Sequence, residues 1–435
     1  MGREPDILVG LDLGTKKITV TVAEVSEENP EEAQIISVGQ APSRGFIKGM
    51  ISNLKEATAS ISEAVADAET ALSDINITNV VVAFNCPGMM SCHTRGRIEL
   101  GETSRQIVRE DLQEVIGAAL SRIKIPENAA VIHTIPVKFA IDGNGGVANP
   151  IDMIGMTLEV EMTVLLVPTS IPKNVVNSVQ LVPGLKVSGL VLKPIVESLG
   201  AMTQDERDRG VSLVALGGGT TSFSVFSEGK LMYAREVPIG GDYISNDIKQ
   251  VLKIPYVFAE KVKKGVSVKP DERPTGIDVV EIQGSRFEID KEEVANTAAD
   301  RLSEVFTDFI FPTLEKMKDA GYNTEVVLTG GVAQTPGIKE LAEQCLQTDV
   351  SVSAPVLSAQ MPDGRNTCAY SAAAGLIMYQ MERRRNPLAF INPPVKDFTE
   401  FKTIKKIDIV IPPRRSTSTG HKITLAIKKL AKELF

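Results

Sequence analysis

The chain of 435 residues has no tryptophan, three histidines and four cysteines, and each scarcity removes a class of chemistry. Cys86, Cys92, Cys345 and Cys368 show no CxxC spacing, which predicts reduced, partly buried thiols rather than metal ligands or disulfides. His133 falls in the β-type run "AAVIHTIPVKFAID", where a hydrogen-bonded strand histidine is expected rather than a ligand. There is no HExxH, GxSxG or GxxxxGK[ST], so zinc-peptidase, hydrolase and P-loop readings have no support. No run of about 18 apolar residues occurs, so no membrane-spanning helix is expected. The first ten residues, "MGREPDILVG", put Pro5 and Asp6 where a signal peptide has its apolar core. Asp6 also stands where N-myristoylation needs Ser or Thr.

What is present is enough for two or more domains. The net charge of −8 is unevenly spread. Residues 401–435 carry nine Lys/Arg against Asp408 and Glu433, a net of +7, which leaves −15 on the preceding 400 residues. An acidic body with a basic tail disfavours a general nucleic-acid binder and asks what the tail touches.

The run "ILVGLDLGTKKITVTVAEV" alternates apolar and polar residues, turns at Gly14-Thr15-Lys16 and alternates again through Ile18, Val20 and Val22. That pattern predicts a β-hairpin. It is echoed about 200 residues later by "LVALGGGTTSFSVF", where Leu216-Gly217 answers Leu13-Gly14 and Thr221, Phe223 and Val225 resume the alternation. Glycine-rich turns can hold phosphate because backbone N–H groups converge with no Cβ in the way. Gly14, Thr15, Lys16 and Lys17 in the first turn, with Gly217, Gly218, Gly219, Thr220 and Thr221 in the second, are therefore candidate phosphate contacts. A third signal, "EVVLTGGVAQTPGIKELAEQCL", reads as strand, Gly330-Gly331-Val332 and helix. Such a turn leaves room for a flat base. Each element alone is an ordinary structural turn; together they suggest a nucleotide held between two related halves.

In this order and spacing the three elements resemble the actin-like ATPase superfamily, and within it the chain resembles the FtsA family of bacterial cell-division proteins along essentially its whole length. "SRGFIKGMISNLKEATASISEAVADAE" is similar to the segment after that family's first hairpin. "VIHTIPVKFAIDGNGGVANPIDMIGMTLEVEMTVLLVP" is similar to its distinctive inserted domain. "PIGGDYISNDIKQVLKIPYVFAEKVK" and "YSAAAGLIMY" are similar to the segment after the second hairpin and to the helix that closes the first half. The resemblance implies an α/β, actin-like ATPase fold with two related halves around a nucleotide cleft. The first-half core is expected at 1–83, 168–196 and a closing helix at 366–382, with an FtsA-type 1C inserted domain at 84–167. The second-half core is expected at 197–242 and 323–365, with its small domain at 243–322. A linker at 383–420 and a terminal helix at 421–435 complete the plan.

The resemblance also implies ATP as ligand, with Glu260 and Lys263 as further contacts to the ribose and base edge, and Asp12 as the acid that holds Mg²⁺ through water. Two departures weaken the Mg²⁺ expectation. The second hairpin has Ala215 where the family usually has an acid, and Lys193 stands before Pro194 where many superfamily members have an acid or amide. Either Lys193 takes over part of the charge role of Mg²⁺, leaving hydrolysis slow or absent, or it points into solvent and Ala215 is a packed strand residue.

Prolines at 387, 393, 394, 412 and 413 argue for an extended linker, interrupted by a strand-like "IDIVI" without evident role. In the terminal "HKITLAIKKLAKELF", Ile423, Ile427, Leu430 and Leu434 fall on one stripe at about 100° per residue, with Phe435 at its edge. Lys422, Lys428, Lys429 and Lys432 lie on or near the other side, as in a helix lying on anionic lipid. Such a helix docked on its own domain is the plainer alternative. The resemblance implies filaments of the chain itself on the cytoplasmic face of the membrane at the division site, with FtsZ and other division proteins as partners. A scaffold of another envelope or pilus machine, or an ATP-cycling enzyme or chaperone, are the competing readings.

Overall fold

The computed structural model describes residues 6–72, 75–282 and 285–399. The "IDIVI" patch and the terminal segment, with Lys422, Ile423, Ile427, Lys428, Lys429, Leu430, Lys432, Leu434 and Phe435, lie outside the described residues.

Two five-stranded sheets carry the architecture. The first runs Lys186–Leu192, Asn79–Phe84, Ile7–Leu13, Lys17–Val25, Ala33–Pro42, and the second runs Val350–Val352, Val326–Thr329, Ser212–Leu216, Thr221–Ser227, Lys230–Val237. In both, an antiparallel three-strand meander continues through two parallel strands. The echo between the hairpins is thus a repeat of whole sheets, and the chain is built from two related halves.

The alternation in Lys17–Val25 does not make one wet face. Thr19 and Thr21 are as buried as Ile18, Val20 and Val22. Helix Leu54–Glu69 packs beside Ile18, Val20 and Val22, and Ala23 packs with the closing helix Ser371–Arg385. Burial on both faces is the normal state of a sheet carrying helices on each side.

Helices Lys193–Ala201 and Ser371–Arg385 cross at the junction between the halves. They touch through glycine: a Cβ on Gly200 would sit 1.9 Å from the Ser371 carbonyl oxygen, and one on Gly375 1.7 Å from that of Val196.

A four-stranded antiparallel sheet, ordered Asn144–Val147, Ala129–Ile141, Thr157–Pro168, Met90–Glu99, is inserted after Asn79–Phe84 and backed by helix Arg109–Leu120. Leu112, Val115 and Ile116 of the helix meet Leu158, Val160 and Met162 in a separate core. Helices Gly241–Leu252, Tyr256–Lys263 and Lys291–Glu304, with the hairpin Ile277–Ile282/Ser285–Asp290, form the small unit of the second half.

The segment after the closing helix differs from the expected linker. That helix continues to Arg385, and Leu388, Ala389, Phe390 and Ile391 are buried. Ile391 exchanges backbone hydrogen bonds with Thr134, and Asn392 Oδ1 accepts from His133 Nδ1 at 2.9 Å. Proline tolerates extended edge positions, so its abundance did not prevent this apolar strap from docking. His133 is the satisfied strand histidine that was expected. Its Nε2 accepts from the Leu192 N–H at 3.1 Å, and burial pushes it down to about 3. All four cysteines are free.

Candidate functional site

A cavity of about 790 Å³ lies between the halves. Both glycine turns open into it, closed in the same way: Gly14 N–H donates to the Lys17 carbonyl at 3.1 Å, and Gly217 N–H to that of Thr220 at 2.9 Å. The turns face each other so closely that a Cβ on Gly219 would lie 2.6 Å from Thr15 Oγ1, and one on Gly218 2.5 Å from Lys16 Cγ. A Cβ at either glycine would have to push a side chain of the first turn aside.

Asp12, Gly14, Thr15, Lys16, Lys17, Gly217, Gly218 and Thr220 line the cavity together with Glu260, Lys263, Gly330, Gly331 and Val332. Two candidates fall elsewhere. Gly219 faces a neighbouring cavity, and the buried Thr221 hydroxyl is spent on the Ile239 carbonyl at 2.8 Å. Strand alternation explains Thr221: it is the first residue of Thr221–Ser227, already committed to the ladder.

Gly330 follows strand Val326–Thr329 with φ of 92°, a left-handed value, and a Cβ there would lie 2.5 Å from the Leu216 carbonyl oxygen. Glycine alone meets both demands. Glu260 and Lys263 sit one helical turn apart, with Lys263 Nζ donating to Glu260 Oε2 at 2.6 Å and to the Gly241 carbonyl at 3.0 Å. Burial lowers the Lys263 ammonium despite that carboxylate, whereas for Glu260 the hydrogen bonds from Lys263 and Ser245 outweigh burial and hold it low. The pair is committed to itself as well as to the cavity wall.

Lys193 does not point into solvent. It is buried, lines the cavity and places Nζ 2.8 Å from Asp12 Oδ1. Burial disfavours its charge, but Asp12 and Glu197 outweigh it and keep the ammonium above its ordinary range. Ala215 is a packed strand residue, paired with Ser222 on one side and Thr329 on the other. Opposite it, the Ser222 hydroxyl donates to Glu197 Oε2 at 2.6 Å, and burial raises the Glu197 carboxyl. Burial also pushes Lys17 down to about 7, beside the Tyr370 ring.

These donors do not fit a divalent cation held by protein oxygens. Asp12 is tied to Lys193, Glu197 to Ser222, and Ala215 offers no side-chain oxygen. Among the described residues no group of three or more His, Cys, Asp or Glu side chains is gathered to hold a metal. The cavity is instead richer in lysines than in acids: Lys16, Lys17, Lys193, Lys263 and Lys264 against Asp12, Glu197 and Glu260. Such a surplus suits a polyanion.

Sequence reasoning missed Asn85, Glu197, Thr329, Gln334 and Thr335 on the cavity wall, and Cys368, Ala369, Ser371 and Ala372. Asn85 was findable, since it follows strand Asn79–Phe84 and ligands collect at the carboxyl ends of parallel strands. The residues from 368 to 372 carry no local signal and arrive only through the helix crossing.

Known proteins resemble this chain in sequence and in fold. The family model "Cell division protein FtsA" matches residues 212–375, and the model "SHS2 domain inserted in FTSA" matches residues 88–166. The cell division protein FtsA of Borreliella burgdorferi is 31% identical over 397 residues, covering 90% of this chain and 95% of that one. The FtsA of Escherichia coli K12 is 28% identical over 394 residues, covering 87% and 91%. Among solved structures, the PilM-PilN type IV pilus biogenesis complex aligns with a TM-score of 0.62 at 14% identity, over 86% of this chain and 98% of that one, a likeness of fold alone.

Proposed function

The chain belongs to the FtsA family of cell division proteins, with an actin-like ATPase fold and an SHS2 domain inserted in its first half, and from that premise we propose that it is a nucleotide-gated membrane tether for FtsZ filaments. The observation that carries the reading is the shared cavity, into which both glycine turns and the Gly330-Gly331-Val332 loop open.

The triphosphate of ATP lies between the turns, where Gly14, Thr15, Gly217, Gly218 and Thr220 offer N–H and hydroxyl donors and Lys17 adds charge. Adenosine lies towards Gly330, Gly331, Val332, Glu260 and Lys263. Lys193, fixed by Asp12, supplies positive charge beneath the phosphates from within the protein. Ala215 puts no carboxylate on the strand that leads into the second turn to align a water for attack, so binding outlasts hydrolysis, which is slow or absent. Family membership favours this over the pilus-scaffold and ATP-cycling readings.

ATP-bound chains polymerise on the cytoplasmic face of the membrane at the division site, held by the lysine-flanked stripe of 421–435. One short helix binds anionic lipid weakly, and a filament multiplies the contacts, so attachment follows assembly. Among the described residues no helix is long and apolar enough to cross a membrane.

The test is co-sedimentation of FtsZ with anionic liposomes and ATP, using the full chain and a chain ending at Ser418. The full chain should carry FtsZ into the lipid pellet and the shortened one should not. Equal pelleting by both would remove the tether.

A further inference from the structure

We propose that Lys16 is a latch across the cleft that phosphate releases, so that an occupied cavity frees the small unit of the second half from the first. This rests on the reading that the cavity takes a nucleoside triphosphate.

Lys16 belongs to the first turn but does not end there. Its stem lies over Gly218, at a distance that leaves no room for a Cβ. Beyond Gly218 its ammonium forms an ion pair with Asp242 and donates to the Tyr256 hydroxyl at 2.6 Å. Tyr256 in turn donates to Asp242 Oδ1 at 2.7 Å, closing a ring of three polar groups. Asp242 and Tyr256 open the helices Gly241–Leu252 and Tyr256–Lys263. The first of these is stitched to the second turn, with Asp242 N–H donating to the Gly218 carbonyl at 2.7 Å and Gly241 N–H to that of Gly217 at 2.9 Å. One side chain therefore connects the first half, the second turn and the small unit.

A triphosphate between the turns brings several negative charges to the wall that Lys16 lines. They compete with Asp242 for the ammonium, and they repel the Asp242 carboxylate itself. Lys16 turns onto phosphate, the ring opens, and Asp242 and Tyr256 lose their tie to the first half. The ligand thus gains on the unlatched state by its differential contact with Lys16, which is what a population shift requires.

Latch and ligand draw on the same ammonium, so their variants must move ATP affinity in opposite directions. In the full chain, Lys16→Ala should weaken ATP binding, while Asp242→Asn and Tyr256→Phe should each tighten it by about two- to five-fold, the span of partly exposed polar pairs. Tyr256→Phe changes no charge. Asp247→Asn controls for general electrostatics: Asp247 is held by Arg301 at 2.7 Å outside the ring, and its loss should leave affinity within about two-fold. Spin labels on non-canonical residues at exposed positions 47 and 257 report the cleft. ATP should shift the wild-type distance to that of ligand-free Asp242→Asn. Unchanged or weakened affinity in both Asp242→Asn and Tyr256→Phe, with ATP still bound by the wild type, would overturn the latch. If the wild type binds no ATP, the nucleotide reading fails instead; the ligand-free distances then decide the tie, and an unmoved cleft in Asp242→Asn overturns it.

Discussion

Lys193 Nζ lies 2.8 Å from Asp12 Oδ1, and the two side chains retain only 11% and 6% of their exposure. Removing one partner of such a pair strands the other. Lys193→Met should cost about 3–5 kcal/mol of stability, and Asp12→Asn with Lys193→Met should recover most of it. Urea unfolding of the three chains checks this. The same substitution tests the charge role: ATP affinity should be insensitive to EDTA in the wild type and should fall in Lys193→Met.

Lys17 gives the site a pH dependence. Burial pushes its ammonium down to about 7, with Asp12 opposing that shift and Lys193 and Arg365 adding to it. A bound phosphate pulls the value back up, so ATP binding takes up a proton and affinity falls as pH rises above about 7. Calorimetry in buffers of different ionisation enthalpy should show that uptake, and Lys17→Met should abolish it.

Glu236 links pH to stability. Its Oε2 accepts from the Cys86 N–H at 2.7 Å across the halves, and burial pushes it up to about 8. The folded chain therefore holds a proton that the unfolded chain releases near 4.5. Its contribution is full below that value and is lost as pH rises towards 8. Glu236→Gln keeps the acceptor without the charge, so its unfolding free energy should decline less between pH about 5 and about 8.5 than that of the wild type.

Gly200 and Gly375 should tolerate no side chain. The atoms in the way are backbone oxygens, which cannot swing aside as a side-chain end can. Gly200→Ala and Gly375→Ala should each lose about 1–3 kcal/mol or more, read as lowered thermal midpoints. A midpoint within error of the wild type would mean that the helix crossing yields.

Much of the fold was legible because turns and strands are local. Glycine at 14 and 217–219, set between β-branched and apolar runs, specifies hairpins from a few neighbouring residues, and their recurrence announced the two halves. Lys17–Val25 was legible as a strand, while its burial on both faces was not, since that depends on helices from residues 54 and 371. The strap from 386 to 392 is not legible in the sequence, because proline content describes backbone freedom and not the partner that an apolar Phe390 or Ile391 finds.

Residue type at short spacing is enough to specify the two phosphate-type turns, the strand–Gly-Gly loop and the lack of a carboxylate at Ala215. Long-range packing is what buries Lys193 on Asp12, spends the Thr221 hydroxyl and carries Lys16 past Gly218 to Asp242 and Tyr256. Those partners lie far apart in the chain. They meet because two sheets of the same order are clamped by crossing helices at Gly200 and Gly375, and burial then fixes which charges each must answer.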